Sequence, residues 1–266
     1  DVGPGDLTSE LVIPENASGH ARIEAREALV LAGLPMLEEV FRLVDPTLEC
    51  RIEQLEGRLV APNTPLVRLH GPMHSILRGE RTSLNVLARL CGIATLARQY
   101  VEAVAGTGVE VVDTRKTIPG WRHLDKYAVA VGGAGNHRIG LFDGILIKDN
   151  HIAAAGGVKS AVEAALAGAP PGIRVQVEVQ REEEALAACE AGADFLLLDN
   201  CSVEAIRAHV ERFGDRALLE ASGGITLENI RAYAETGVHR ISVGALTHAA
   251  LASDVALEVE DEDLRK

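Results

Sequence analysis

The chain has 266 residues, enough for one large or two modest domains. Its 26 Lys and Arg against 39 Asp and Glu leave a formal charge of −13, and aromatic residues make up only 3%. That balance excludes an electrostatic nucleic-acid binder and a base-stacking platform, and an apolar content of 47% excludes a disordered chain.

The acid excess is uneven. Residues 113–151 carry six basic residues (Arg115, Lys116, Arg122, Lys126, Arg138 and Lys148) against four acids (Asp113, Asp125, Asp143 and Asp149). That stretch is net +2, so the remainder is −15, and three of the five lysines fall inside it. The chain opens at Asp1 with a turn-like DVGPGD and no Met, so a missing N-terminal piece is expected and no signal peptide is read.

The first ~105 residues mix strand-like alternation with helical pieces, the mark of an α+β layer. Residues 20–26, 49–55 and 58–60 alternate. Residues 33–44 predict an amphipathic helix starting at a proline, and 77–105 a long helix broken or kinked near Gly92.

From Val109 a repeating rhythm begins. Apolar, β-branched runs occupy 109–113, 144–149, 174–179, 195–200, 217–220 and 240–244. After the second run, helical segments intervene at 158–167, 182–191, 203–213 and 227–236, with Ser202 and Thr226 as expected N-caps and Gly192, Gly214 and Gly237 as stops. Strands alternating with helices predict a parallel sheet, and the FLLL run at 195–198 predicts strands covered on both faces. No GxGxxG follows the first strand, so a barrel is favoured over an open doubly wound sheet. Six visible strands predict an incomplete barrel, or one with a seventh strand unrecognised in 129–139. A last strand, 254–259, is expected to return to the first domain's sheet, and the charged tail 260–266 to fray. The expected domains are therefore 1–105, joined by 254–259, and 106–250.

In parallel barrels the chemistry sits at the carboxyl ends of strands. Those ends carry Thr114, Arg115 and Lys116; Lys148, Asp149, Asn150 and His151; Glu178 and Gln180; Asp199 and Asn200; Glu220, Ser222, Gly223 and Gly224; and Gly244, Ala245, Thr247 and His248. The two glycine sites, Gly223-Gly224 and Gly244-Ala245, precede expected helices at the last two strands, an arrangement suited to a phosphate. Glu178 and Asp199, one strand apart, come within reach of one Mg²⁺ or one ribose diol; the competing reading is a salt bridge to Lys148 or Arg138. Opposite stand Arg115, Lys116, His137, Arg138 and Lys148, cations that call for a multiply charged anion. The glycine run at 132–135 reads as a flexible loop beside them. The four cysteines lack metal-ligand spacing and read as small apolar residues of a reducing compartment, and no run approaches the ~18 residues of a membrane span. Lys148 as a Schiff-base nucleophile of an aldolase, and a non-enzymatic phosphate-ligand sensor, are the rival readings.

Seven stretches carry a resemblance: GDLTSELVIP (5–14), ERTSLNVLARLCGIAT (80–95), DTRKTIPGWR (113–122), GNHRIGLFDGILIKDNHI (135–152), LLLDN (196–200), EASGGITLENI (220–230) and SVGALTHAA (242–250). In order and over nearly the whole chain, they resemble the quinolinate phosphoribosyltransferase family. About the first helix of the family's usual N-terminus is missing. The resemblance implies an N-terminal α+β sandwich and an incomplete, six- or seven-stranded parallel α/β barrel. It implies transfer of phosphoribose from phosphoribosyl pyrophosphate to quinolinate with loss of CO₂, using Mg²⁺, in a cytoplasmic homodimer with shared sites. A paralogue of the same fold with another acceptor is the nearest alternative.

By resemblance the quinolinate contacts are Arg81 (from the partner subunit), Thr114, Arg115, Lys116, His137, Arg138 and Lys148. The phosphoribosyl pyrophosphate contacts are Lys148, Glu178, Asp199, Asn200, Ser222, Gly223, Gly224, Gly244, Ala245 and His248. The catalytic group is Lys116, Lys148, Glu178 and Asp199, with Glu178 and Asp199 toward the metal, directly or through water. One departure is visible: where the family often has VEVE, residues 175–178 read VQVE, so Gln176 replaces the first carboxylate and Glu178 is retained.

Overall fold

A computed structural model describes residues 1–260; of the tail expected to fray, residues 261–266 lie outside the described residues. The chain divides into two units, residues 1–96 with 131–133 and the segment from 250 onward, and residues 97–130 with 134–249. The division falls inside one continuous helix, Met73–Ala103, rather than at 105.

In the first unit the strands are β1 (Ser18–Ala25), β2 (Leu29–Val30), β3 (Glu49–Ile52), β4 (Leu59–Val60) and β5 (Pro65–Pro72). β1 pairs antiparallel with β5, β5 with β3, and the last strand, Val255–Val259, adds to the free edge of β1 with Ile23 opposite Leu257. The alternation along β1 places Ala21, Ile23 and Ala25 on the buried face. Helix Leu34–Val44, with Pro35 in its first turn, lays Leu37 and Phe41 into the same core as Leu66, Leu69, Ile76 and Leu87. β5 was not anticipated. Prolines bound it at both ends, and its apolar positions are too few to show a period.

The expected break near Gly92 does not occur. The helix is continuous through residue 92, and the glycine serves a close approach. A Cβ there would lie 1.9 Å from the Leu251 carbonyl oxygen, so only glycine lets that backbone pass.

The second unit holds six parallel strands: β6 (Glu110–Val112), β7 (Ile145–Ile147), β8 (Val175–Val179), β9 (Phe195–Asp199), β10 (Leu218–Ser222) and β11 (Arg240–Ser242). Their spatial order is β6-β11-β10-β9-β8-β7. The seventh strand expected within 129–139 is reduced to one parallel bridge, Val112 to Gly135, on the outer edge of β6. From that segment Arg138 Nη1 donates to the Gly144 carbonyl beside β7 (2.9 Å), so residues 135–138 span the seam of an incomplete barrel.

Helices Val158–Gly168, Glu182–Ala191 and Val203–Phe213 follow β7, β8 and β9. Ser202 caps the last of these by accepting from Ala205 N (3.2 Å). Thr226 is not a cap: a turn intervenes, and the helix begins only at Ile230. In this unit two helices were not anticipated, Arg122–Val131 after β6 and Asp149–Ala155 after β7. All four cysteines are free; only Cys91 is fully buried, and burial pushes its thiol up to about 12.

Candidate active site

Side chains alternate across a strand, so every second residue of β7 to β11 faces the barrel interior. The inward series is Leu146 and Lys148; Gln176 and Glu178; Phe195, Leu197 and Asp199; Glu220 and Ser222; Arg240 and Ser242. Its upper members line a cavity of about 320 Å³ at the carboxyl ends, together with Thr114, Arg115, Lys116, His137 and Arg138. Nine of the expected site residues meet there: Thr114, Arg115, Lys116, His137, Arg138, Lys148, Glu178, Asp199 and Ser222.

The cationic stretch has two jobs. Lys126 is buried and bonds Asp113 Oδ1 (2.5 Å) and the His137 carbonyl (2.8 Å), and His137 N donates to the same Asp113 oxygen (2.7 Å). Burial holds the Asp113 carboxyl above the usual carboxylate range, with Lys126 opposing the shift. Arg122 Nε donates to Thr117 Oγ1 (3.1 Å) and Nη1 to the Ile139 carbonyl (3.1 Å). Arg122 and Lys126 therefore fasten loops. Arg115, Lys116, Arg138 and Lys148 face the cavity.

The two arginines among these cations are short of anions. Burial, and then the charge of Arg115, lower the pKa of Arg138, and Arg115 Nε is buried with no protein partner. Two guanidinium groups that repel each other in a closed space favour a ligand with two negative groups.

On the opposite wall Glu178 and Asp199 sit on adjacent strands, Leu197 being the register partner of Glu178. Lys148 Nζ lies 3.2 Å from Glu178 Oε2, so the competing salt-bridge reading is realised for that pair. The lysine side chain is half-exposed and ion-paired, unlike the desolvated amine that a Schiff-base enzyme uses. Its position is set by the chain that follows, where Lys148 N donates to His151 Nδ1 (2.9 Å). Asp199 Oδ2 accepts from the Asn200 amide (2.7 Å).

The glycine loops flank this wall. Gly223 has φ +88°, and a Cβ would lie 2.2 Å from Asn200 Oδ1, so the loop after β10 can turn there only as glycine. Asn200, itself left-handed at φ 55°, ties that loop down by donating its N–H to the Ser222 carbonyl (2.8 Å). Neither glycine loop opens onto a long helix. The helix after the first, Ile230–Ala234, is reached only through a turn, and Gly244 caps the single-turn helix Ala245–His248, so any anion contacts at 223–224 come from loop N–H groups and any at 244–245 from the start of one helical turn. Gly244 and Ala245 are partly buried and His248 is exposed; the last loop is anchored beside Lys116, whose carbonyl accepts from Thr247 Oγ1 (2.8 Å). Among the described residues no group of three His, Cys, Asp or Glu converges on one point.

Two family models match the chain, the quinolinate phosphoribosyl transferase N-terminal domain over residues 6–91 and the C-terminal domain over residues 93–258. The chain belongs to the quinolinate phosphoribosyl transferase family. Among its relatives, the probable nicotinate-nucleotide pyrophosphorylase [carboxylating] of Bacillus subtilis (strain 168) is 41% identical over 259 residues, covering 97% of this chain and 89% of that protein. The Homo sapiens nicotinate-nucleotide pyrophosphorylase [carboxylating] is 41% identical over 247 residues, covering 90% and 82%. The solved nicotinate-nucleotide pyrophosphorylase from Francisella tularensis superposes with a TM-score of 0.93 at 39% identity, covering 98% of this chain and 92% of that one.

One expected residue belongs to the other unit. Arg81 lies exposed on helix Met73–Ala103 in the first unit, near Glu80 (4.0 Å). The strand-end residue Glu220 also lines the cavity, and the structure adds Ser242 to its wall. Ser242 follows from stepping two residues back along the inward series from Gly244, which was the signal available in the sequence. No helix among the described residues is long and apolar enough to cross a membrane.

Proposed function

We propose that this chain transfers the phosphoribosyl group of phosphoribosyl pyrophosphate to quinolinate, releasing pyrophosphate and CO₂ and forming nicotinate mononucleotide, as its carboxylating relatives' names describe. The observation that carries the reading is one cavity holding Arg115, Lys116, Arg138 and Lys148 opposite Glu178 and Asp199, beside the Ser222 loop.

Each group has a task. Arg115 and Arg138 hold the two adjacent carboxylates of quinolinate, with Thr114, Lys116 and His137 completing that end. The N–H groups of the loops at Gly223, Gly224, Gly244 and Ala245, with Ser222, Asn200 and His248, take the phosphates. As pyrophosphate departs, ribose C1 becomes positive. Glu178 and Asp199, fixed on their strands, stabilise it. Lys116 and Lys148 offset the charge growing on the leaving group. The ring nitrogen that attacks C1 becomes quaternary, and that positive charge then stabilises the C2 carbanion left when CO₂ departs, so no covalent enzyme intermediate is needed.

Two hard carboxylate oxygens without a third protein ligand fit Mg²⁺, which takes few protein ligands and completes its shell with water and substrate phosphates. Glu178 and Asp199 would hold it, directly or through water, and when bound it would neutralise diphosphate charge. We read the assembly as a cytoplasmic homodimer in which Arg81 of each subunit serves the other's site. The test is pyrophosphate release with quinolinate or nicotinate as acceptor: quinolinate alone should support it, and equal turnover with nicotinate would overturn the reading.

A further inference from the structure

Beneath the cations lies a layer of buried polar side chains to which the reaction assigns nothing. Gln176 and Glu220 are 4% and 1% exposed. Gln176 Nε2 donates to Glu220 Oε2 (3.0 Å), and Arg240 Nε donates to the same oxygen (2.6 Å). The Arg240 guanidinium is in turn held over the Phe195 ring, 4.4 Å from its centroid. At its other end the chain meets His137, whose Nε2 is 3.1 Å from Gln176 Oε1 and 3.6 Å from Glu220 Oε1.

The second ring nitrogen is also taken. His137 Nδ1 accepts the Arg138 backbone N–H (2.8 Å). A nitrogen that accepts there carries no proton, so the ring proton sits on Nε2 and points at Gln176 Oε1. The amide suits this place because it accepts on one side and donates to Glu220 on the other. A carboxylate at 176 offers no donor.

The layer is also a partition. A second cavity, about 750 Å³, opens toward the amino ends of the strands, lined by Gln176, Arg240 and Phe195. His137 and Arg138 line both cavities, and Glu220 faces the upper one. The His137 ring is thus the place where the floor of the candidate site joins the loop that presents Arg138.

We propose that Gln176, Glu220 and Arg240 are positioning residues. They lock the His137 ring with its proton on Nε2, and through Nδ1 the ring fixes the backbone from which Arg138 reaches the substrate's carboxylates. This rests on the reading of the upper cavity as the quinolinate site. The charged groups around the ring are Glu220 and Arg240 from below, Arg138 and Arg115 from above, and the Asp113–Lys126 pair behind its backbone.

The experiment has two readouts. In ¹⁵N-histidine spectra at about pH 8, with His137 assigned by its loss in His137→Asn, the ring should show an unprotonated Nδ1 and a protonated Nε2. In kinetics, Gln176→Leu should raise the quinolinate KM about tenfold or more while leaving the phosphoribosyl pyrophosphate KM within about twofold. The isosteric Gln176→Glu can reproduce both bonds only by carrying a proton. It should approach wild-type quinolinate KM at acid pH and lose it as pH rises, a dependence absent from Gln176→Leu. A protonated Nδ1 would overturn the proposal. So would a folded Gln176→Leu enzyme with unchanged quinolinate KM, an equal rise in both KM values, or a Gln176→Glu pH profile superimposing on wild type. If wild-type enzyme does not turn over quinolinate, the functional reading fails, and the ¹⁵N result still decides the hydrogen-bond chain on its own.

Discussion

At the scale of single residues, the proposed quinolinate contacts rest on two arginines. Arg115 Nε is buried without a protein partner, and Arg138 is lowered by burial and by Arg115, so each awaits a negative group. Replacing either with alanine should weaken quinolinate binding by roughly 2–5 kcal/mol, the scale of a desolvated charged contact, measured by calorimetry. Near-normal affinity in both variants would remove them from the substrate. Glu220 supplies a pH test. Burial raises its carboxyl, but the His137 contact, the Arg240 charge and a hydrogen bond with Ser242 outweigh that and leave it at about 2, against an ordinary 4.5. Its folded value lies below its unfolded value, so between those values the unfolded chain binds more protons and stability rises with pH. The stabilisation is present above the unfolded value and lost as pH falls toward about 2. Glu220→Gln should flatten that acid limb in denaturant midpoints taken across the range; an unchanged slope would contradict the shift. The upper inward residues could be read from sequence because they end their strands. Gln176 and Arg240 could not, since a polar residue inside or at the start of a strand looks like any alternating surface position until its partners are known.

Elements were legible where their periodicity was long. Helices Glu182–Ala191 and Val203–Phe213 match their expected bounds, because glycine ends the one and a serine cap opens the other. β5 and the helix Arg122–Val131 were missed for opposite reasons. The strand is flanked by prolines, and the helix carries its polar residues Asp125 and Lys126 on its buried side, against the usual amphipathic signal. Gly92 was misread as a breaker because a glycine that admits a neighbouring backbone and one that kinks a helix look alike in sequence. Gly92→Ala should destabilise the fold by roughly 1–3 kcal/mol through the clash with Leu251, seen as a lower urea midpoint. An unchanged midpoint would mean that the neighbouring segment yields freely.

For the whole molecule, a net charge of −13 describes the surface, and the +2 stretch describes the site. Four of its six cations line the cavity and the other two hold the loops that carry them. Arg81 was reached only through family resemblance, since no strand logic leads to an exposed helix position in the other unit. If it serves a partner's site, Arg81→Ala and Lys148→Ala, each inactive alone, should regain activity when mixed and allowed to exchange subunits. Failure despite demonstrated exchange would place Arg81 outside the site. On the proposed reading, this cavity joins phosphoribosyl transfer to decarboxylation. The direct measurement uses quinolinate labelled in its C2 carboxylate with phosphoribosyl pyrophosphate and follows CO₂ and pyrophosphate together. Equal release of the two is the predicted result, and pyrophosphate release with the labelled carboxylate retained in the product would contradict it.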